Sequence, residues 1–256
     1  MDVQACLDRI GFDRNKDRGP LAPTAETLRA LQVAHLRAVP FENLSIHAGQ
    51  PIVLDVEALF EKVVTRRRGG FCYELNGLFA ALLRALGFEV TQLSAGVGRR
   101  DGTFGPDFDH MALLVHTEGE GWLVDVGFGD SFLEPLRLDE RGEQVQGDRA
   151  YRIDEDGAHL ILLQRQGAEG AWEPQYRFTL APRELPDYAE MLRYHQTSPQ
   201  SHFTQKRVCS LATADGRVTL SDLRLITTRG GVREERMLPG EAEHAAALRE
   251  LFGVVV

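Results

Sequence analysis

An apolar repeat between residues 75 and 86 constrains the fold more than any other feature of this sequence. Large apolar side chains step along it by three residues or by one, which places them on one face of a helix. They are Leu75, Leu78, Phe79, Leu82, Leu83 and Leu86. Gly87 follows and is typical of the residue that ends a helix. We therefore predict a helix that begins near Phe71 and Cys72.

The pattern changes after this helix. Before it, residues 24–39 and 52–64 also show helical periodicity. After it, short runs rich in β-branched and aromatic residues predict strands over 88–93, 111–116, 122–126, 151–153, 159–164 and 172–179. The C-terminal elements are strands over 208–212 and 217–220, joined by an Asp215-Gly216 turn, a strand over 223–228 and a helix over 241–251.

Helices followed by strands and then by a small mixed segment are typical of an α+β protein. The changes of pattern place boundaries near residues 87 and 185. We therefore expect a helical bundle over 1–87, an antiparallel sheet or barrel over 88–185 and a mixed α/β unit over 186–256.

The composition restricts the function classes that this chain of 256 residues can serve. With 43% hydrophobic and 26% charged residues, the chain can form a sizeable core. The 29 Lys and Arg against 38 Asp and Glu leave a formal net charge of −9, which repels phosphate backbones and anionic lipid. We therefore expect no nucleic-acid partner and no role at a membrane.

The N-terminal segment and the cysteines predict a cytoplasmic protein. Charged residues stand where a signal peptide needs its apolar stretch, and no segment approaches about 18 uninterrupted apolar residues. Cys6, Cys72 and Cys209 are too few and too scattered for a disulfide framework. No Cys-x-x-Cys pair is present, so we expect free thiols and no metal site.

Cys72 is a candidate nucleophile because of its place at the start of the strongest helix, directly after Gly69 and Gly70. Unpaired N–H groups and the positive end of the helix dipole favour a thiolate there. The thiolate is the nucleophilic form of cysteine. Buried, inert cysteines are also common, so position alone leaves both interpretations open.

A nucleophile of this kind needs a base, and the base needs an orienting group. His110 opens one predicted strand and Asp125 closes the next, and the connection over 117–121 predicts a hairpin between them. The hairpin register can place both side chains side by side on one face, whereas a slip by one residue separates them. Asp125 lies among apolar residues, where a carboxylate needs a partner. Together with Cys72, these residues predict a catalytic set, although a lone strand histidine is more often a core residue.

Other motifs carry less information. The segment from Gly96 to Gly102 is similar to a dinucleotide-binding fingerprint, but it has one residue too many before its last glycine and no helical pattern follows. We therefore reject a Rossmann fold. Arg68 is expected to pair with Glu42 or Glu74. The other histidines lack a comparable partner pattern and are expected to be core or surface residues: His35, His47, His116, His159, His195, His202 and His244.

Several motifs occur in an order that is highly specific. They are Pro40-Phe-Glu-Asn-Leu44, Arg68-Gly-Gly-Phe-Cys-Tyr-Glu-Leu-Asn76, His110, Val124-Asp-Val-Gly-Phe-Gly129 and Ser198-Pro-Gln-Ser-His-Phe203. Together they resemble the arylamine N-acetyltransferases over about residues 1–210. The resemblance implies an N-terminal helical bundle, a central antiparallel β-barrel and a C-terminal α/β lid around a cysteine-protease-like Cys-His-Asp core.

The resemblance also implies roles for individual residues. The catalytic triad of the family matches Cys72, His110 and Asp125. The aromatic lining of its acceptor pocket matches Phe41, Phe128 and Phe203, and the loop that approaches the pantetheine and phosphates of acetyl-CoA matches Gly127 and Gly129. Asp109 departs from the pattern, because many members have a small neutral polar residue before the histidine. This acid bears on the strength of CoA binding or on the pH optimum.

The function that the resemblance implies is an acetyl-CoA-dependent acyltransferase with ping-pong chemistry. Its Cys72 would take the acetyl group and pass it to an arylamine or arylhydrazine. Two alternatives stay open from the residues alone. A thiol hydrolase or transglutaminase-like enzyme uses Cys, His and Asp in the same order, with water or a peptide amine as the acceptor. A binding module with the same residues would form no covalent acyl adduct.

Overall fold

The computed structural model describes residues 1–12 and 21–255. Its N-terminal part is helical. The helices are α1 (Val3–Arg9), α2 (Ala25–Ala38), α3 (Leu44–His47), α4 (Val56–Phe60), which continues as a π-helical segment over Glu61–Thr65, and α5 (Cys72–Ala85). A two-residue strand, β1 (Phe41–Glu42), lies between α2 and α3.

Local sequence signals explain where the predicted helices begin and end. The Thr24 hydroxyl accepts the Thr27 N–H at 3.2 Å and so caps α2. Asp55 caps α4 in the same way, which is why the helix predicted over 52–64 begins only at Val56. Gly87 has a positive φ of 92°, as expected for the residue after a helix end.

The central part of the chain forms an eight-stranded antiparallel sheet that curls into a nearly closed barrel. Its strands are β2 (Glu89–Val97), β3 (His110–Thr117), β4 (Glu120–Val124), β5 (Leu136–Arg137), β6 (Gln144–Gln146), β7 (Arg149–Asp156), β8 (His159–Gln166) and β9 (Glu173–Arg183). They are hydrogen-bonded in the order β5-β4-β3-β2-β9-β8-β7-β6. The α+β class with an antiparallel barrel is therefore confirmed.

A second antiparallel sheet forms near the C-terminus, in the order β1-β10-β11-β12-β13. Its further strands are β10 (Val208–Thr213), β11 (Gly216–Ser221), β12 (Arg224–Arg229) and β13 (Val232–Met237). The helices of this part are a 3₁₀ turn (Leu185–Tyr188), α6 (Ala189–Thr197), α7 (His202–Gln205) and α8 (Glu241–Phe252). Because β1 belongs to this sheet, the N-terminal part supplies its edge strand. The predicted unit boundaries near 87 and 185 stay a prediction.

Helix α5 joins the helical part to the barrel. Its apolar face packs in one buried cluster with Leu113 and Val115 of β3 and with Val124 at the end of β4. Burying a leucine or phenylalanine contributes roughly 1.5–3 kcal/mol, so this contact holds α5 firmly against the hairpin. The first residue of α5, Cys72, thereby lies at the level where β3 begins with His110.

The described part of the chain has neither a membrane-spanning helix nor a cluster of metal ligands. No helix within residues 1–12 and 21–255 is both long enough and apolar enough to cross a membrane. Within the same residues, no group of three or more His, Cys, Asp or Glu side chains is placed to hold a metal ion.

Candidate active site

The structure brings Cys72, His110 and Asp125 together. His110 Nε2 lies 2.7 Å from Asp125 Oδ2. A hydrogen bond also links the His110 ring to the Cys72 side chain, and since Nε2 faces Asp125, Nδ1 is the nitrogen left for the thiol. The three residues are only 3%, 2% and 2% exposed. They form a buried line from thiol to imidazole to carboxylate.

The register of the β3–β4 hairpin explains how His110 meets Asp125. Leu113 pairs with Val124. Continued by one step, this register places Asp125 opposite Ala112, with His110 two residues further along the same face. The two side chains are therefore diagonal neighbours, and diagonal neighbours are within reach for long side chains. The structure therefore places His110 and Asp125 on one face of the hairpin, as predicted. They are diagonal neighbours and not directly opposite each other.

Asp125 has two further hydrogen-bond donors. Its Oδ1 accepts from Asn76 Nδ2 at 2.9 Å and from the Gly127 N–H at 2.8 Å. Asn76 also donates to Met111 O at 2.6 Å, and its Oδ1 accepts the Val126 N–H at 2.9 Å. Asn76 thus links the Asp125 carboxylate to the backbone of β3 at Met111 and to the backbone after Asp125 at Val126.

The role of Asn76 is not among those predicted above, although its spacing from Cys72 carries a signal. Asn76 follows Cys72 by four residues, and helix positions four apart share one face. Tyr176 on β9 was also missed. Its ring centroid lies 5.1 Å from that of His110, and burial, followed by the nearby Asp125 charge, raises the pKa of Tyr176 well above its usual value. No local pattern around position 176 indicates this contact.

The electrostatics of the site favour a charged His110. Burial by itself would lower the pKa of this imidazole. The charge and hydrogen bond of Asp125, followed by the hydrogen bond and charge of Cys72, outweigh burial and raise the pKa of His110 to about 10. At neutral pH a charged imidazole therefore lies beside the sulfur of Cys72.

We therefore expect the His110 ring resonances in an NMR titration to shift with a midpoint well above about 6.5, the usual histidine value. A pKa that is higher in the folded than in the unfolded state stabilises the fold fully below about pH 6.5, and the contribution is lost as the pH rises through about 10. Cys72→Ala removes two of the causes that raise this pKa, so the midpoint should fall in that variant. A midpoint near the usual histidine value in the unsubstituted protein would contradict the charged pair.

The loop before Cys72 is held by ion pairs. Arg68 Nη2 lies 2.8 Å from Glu42 Oε1, and both side chains are buried. Of the two predicted partners of Arg68, Glu42 is therefore correct and Glu74 is wrong, since Glu74 pairs with Lys62 at 2.6 Å. Glu74 also accepts the Phe71 N–H at 3.1 Å, which orders the first turn of α5.

Comparison with known proteins identifies the family. A family model described as N-acetyltransferase matches residues 24–256. A curated arylamine N-acetyltransferase from Mycolicibacterium smegmatis is 38% identical over 261 aligned positions, which cover 99% of this chain and 92% of that protein. This chain belongs to the arylamine N-acetyltransferase family.

Solved structures of arylamine N-acetyltransferases share the whole fold. The enzyme from Salmonella typhimurium superposes with a TM-score of 0.91 at 34% identity, over 98% of this chain and 90% of that one. The Mycobacterium marinum enzyme in complex with CoA superposes with a TM-score of 0.89 at 34% identity, over 99% of this chain and 93% of that one.

The phenylalanines matched to the acceptor pocket of arylamine N-acetyltransferases lie around the buried line. The Phe128 ring stands edge-on to the His110 ring, with centroids 5.1 Å apart. The ring centroids of Phe41 and Phe203 lie 6.1 Å apart. Phe203 also lies 5.4 Å from Phe71, the residue before the thiol.

The two glycines matched to the cofactor loop of the arylamine N-acetyltransferases differ in their surroundings. The Gly127 N–H is already donated to Asp125. A Cβ at Gly127 would lie 2.7 Å from Cys72 Cα and 2.7 Å from Asn76 Nδ2, so only glycine fits against the start of α5. Gly129 has a φ of 94° and packs near the Phe41 ring. The Gly129 N–H, unlike the Gly127 N–H, is not hydrogen-bonded to Asp125.

Proposed function

We propose that this chain transfers an acetyl group from acetyl-CoA to an arylamine or arylhydrazine through a thioester on Cys72. The observation that carries the proposal is the buried line of Cys72, His110 and Asp125 in a member of the arylamine N-acetyltransferase family. The relative from Mycobacterium marinum, whose structure contains CoA, supports CoA as the acyl carrier.

In the first half-reaction, Cys72 Sγ attacks the carbonyl carbon of the acetyl thioester. The new S–C bond forms, and the bond between that carbon and the sulfur of CoA breaks. The proton on His110 Nδ1 passes to the departing sulfur, so CoA leaves as a thiol and the imidazole becomes neutral.

In the second half-reaction, the amine nitrogen of the acceptor attacks the same carbonyl carbon. The bond from that carbon to Cys72 Sγ breaks, and its electron pair returns to the sulfur. His110 Nδ1 takes the proton of the amine, which restores the imidazolium beside the thiolate. Asp125 holds Nε2 throughout and keeps Nδ1 directed at the sulfur.

The donor requires local positive charge, because an anionic cofactor approaches a chain of formal charge −9. Asp130, directly after Gly129, faces two guanidinium groups: Arg149 Nη1 at 2.7 Å and Arg217 Nε at 3.1 Å. Two cations around one carboxylate leave a net positive charge beside the Gly129 backbone. This arrangement supports the assignment of the loop at Gly129, rather than Gly127, as the place where CoA phosphate or pantetheine oxygens approach.

The acceptor specificity is assigned to the phenylalanines, and Phe128 tests this assignment. Phe128→Ala removes a ring from beside His110, and aromatic contacts of this kind contribute about 0.5–1.5 kcal/mol beyond their area. We expect kcat/KM for an arylamine to fall about tenfold, since 1.36 kcal/mol corresponds to a factor of ten. Steady-state kinetics with an arylamine and with an aliphatic amine of similar basicity measure the change.

A matched control is Phe60→Ala, which removes a half-buried ring of α4 that packs against the helical core. It should leave kcat/KM for the arylamine unchanged. If arylamines and aliphatic amines react equally well in the unsubstituted enzyme, Phe128 does not line an aromatic acceptor pocket.

The experiment that tests the whole proposal is intact-protein mass spectrometry after mixing with acetyl-CoA and no acceptor. We expect a mass increase of one acetyl group, located on Cys72 by peptide mapping, and its loss on addition of an arylamine with formation of the N-acetyl product. Acetate as the product in place of the amide would favour the thiol hydrolase. Transfer to peptide amines alone would favour the transglutaminase-like enzyme, and the absence of any adduct would overturn the covalent mechanism.

A further inference from the structure

A second imidazole–carboxylate pair, in which the imidazole is buried and the carboxylate is partly exposed, lies next to the buried line. His195 Nε2 on α6 is 3.5 Å from Asp109 Oδ1, the residue directly before His110. His195 is 5% exposed, whereas the Asp109 side chain is 20% exposed. Among the described residues, His195 Nε2 has no side-chain hydrogen bond of good geometry, and the Asp109 carboxylate is the charged group that this nitrogen faces.

The other side of the His195 ring is tied to the turn that carries Phe203. His195 Nδ1 lies 3.2 Å from Ser201 Oγ. Ser201 Oγ also accepts the Phe203 N–H at 3.3 Å. With the Ser201 hydroxyl proton directed at Nδ1, the imidazole proton lies on Nε2 toward the Asp109 carboxylate, which can only accept.

The His195 ring also contacts the aromatic residues around the thiol. It stands edge-on to Phe203, with centroids 5.0 Å apart. It lies 6.2 Å from Phe71 and 6.0 Å from Tyr73, the two neighbours of Cys72 in the chain. His195 therefore fills the space between the Phe203 turn and the start of α5.

The charged and titratable groups around His195 favour a neutral ring. Burial lowers its pKa most, Asp109 raises it, and His110 and His202 lower it further, so the pKa of His195 stays below its usual value. Two tyrosines are the other titratable side chains against the ring: Tyr194, with ring centroids 5.5 Å apart, and Tyr73, with centroids 6.0 Å apart. A neutral imidazole can donate from Nε2 and accept at Nδ1 at the same time, which is what the two neighbouring groups require.

We propose that Asp109 and His195 are positioning residues of the acceptor half-reaction. Through Ser201, these two residues hold Phe203 against the catalytic residues. The inference rests on the proposed function. A wall residue that is held in place before the acceptor arrives reduces the entropy lost on binding. The pair also gives Asp109, the departure from the family pattern, a role: it anchors His195 to the strand that begins at His110.

The test separates the two half-reactions. His195→Leu removes both polar contacts, and Asp109→Asn removes the charge at a partly exposed position. For each variant, the first half-reaction is followed as CoA release in a single turnover, and the second as the decay of the acetyl-enzyme at increasing arylamine concentrations. At saturating acetyl-CoA, where weaker CoA binding does not affect the rate, we expect an unchanged rate of acetylation. We expect an arylamine KM about tenfold higher, the scale of one lost polar contact.

Conservative substitutions of His195 show which of its two polar contacts affects the arylamine KM. The amide of His195→Asn can reach Ser201 from the position of Nδ1, whereas the longer amide of His195→Gln reaches toward Asp109 from the position of Nε2. If the pair acts through Ser201, His195→Asn should restore more of the arylamine KM than His195→Gln. The double variant Asp109→Asn with His195→Leu should be no worse than His195→Leu alone, because both act through one contact.

Glu89→Gln is a matched control, because Glu89 faces His116 at 3.9 Å in an exposed pair far from these contacts. It should change neither half-reaction. The inference is overturned if acetylation slows as much as acetyl transfer, if the arylamine KM is unchanged in both single variants, or if the losses in the double variant add. The proposed function fails by a different observation, the absence of an acetyl adduct in the unsubstituted enzyme.

Discussion

Replacement of Cys72 by alanine should abolish acetyl transfer and leave the fold intact. The variant lacks the thiol that is hydrogen-bonded to the His110 imidazole. Loss of the nucleophile in a serine protease costs about 10⁶-fold in kcat, and we expect a loss of the same order. Cys72→Ala also removes a small buried side chain without creating an unpaired charge, so folding should persist.

The two other cysteines cannot replace Cys72. Burial, with the nearby Asp2 charge, raises the pKa of Cys6 to about 11. Burial, with the Glu42 charge, raises the pKa of Cys209 well above its usual value. Both thiols therefore stay protonated at neutral pH, and protonated thiols are poor nucleophiles.

The measurements are acetyl-adduct formation, steady-state turnover and thermal unfolding. Cys6→Ala is the matched control, because it removes an equally buried thiol from α1, in the core cluster of the helical part, and should keep full activity. Iodoacetamide at mildly acidic pH should label Cys72 alone in the unsubstituted protein. Equal labelling of all three cysteines, or turnover in Cys72→Ala, would show that the thioester forms elsewhere.

Much of this site could be predicted from sequence because its signals are local. The apolar spacing that ends at Gly87 predicts α5, and a helix that starts at Cys72 places the thiol at its N-terminus. The hairpin that carries His110 has a short connection, which restricts the register to a few choices. No sequence pattern near Tyr176 predicts its contact with His110, because that contact depends on how β9 lies in the folded barrel.

Other elements could not be predicted because packing or pairing determines them. The strand β13 (Val232–Met237) is exposed along its length and has no alternating pattern, and it forms because β12 offers an edge. The two residues of β1 have no periodicity of their own and pair with β10 across the molecule. His195 was expected to be an ordinary core or surface residue, because its pairing with Asp109 depends on how α6 lies against the residue before β3.

Asp125→Asn is expected to lower kcat by about 10⁴-fold, as loss of the orienting carboxylate does in a serine protease. The carboxylate accepts from Asn76 and Gly127 at Oδ1 and faces His110 at Oδ2. An asparagine has one oxygen, so it cannot accept on both sides. With its oxygen toward Asn76 and Gly127, it keeps two hydrogen bonds and turns its NH₂ toward His110.

With its NH₂ group toward His110, the introduced asparagine is expected to lower turnover through the tautomer of the imidazole. An NH₂ group donates, so His110 Nε2 must accept, and the imidazole proton moves to Nδ1, where it faces Cys72. A ring in this tautomer cannot take the proton of the attacking amine, although the thiol stays in place. The opposite orientation keeps the tautomer but leaves the N–H groups of Asn76 Nδ2 and Gly127 without the Asp125 acceptor. Each unpaired donor costs about 1–3 kcal/mol of stability, so this orientation is disfavoured.

Kinetics and thermal unfolding of Asp125→Asn test this account together. Asp154→Asn is the matched control, because Asp154 pairs with Arg152 at 2.7 Å on the surface of β7 and has no contact with the site. Surface pairs contribute about 0–1 kcal/mol, so this variant should keep both turnover and stability. Because the first orientation of the introduced amide preserves the contacts with Asn76 and Gly127, the fold should survive while the arylamine half-reaction fails. Full turnover in Asp125→Asn would mean that the hydrogen bond to His110 does not set the tautomer on which proton transfer depends.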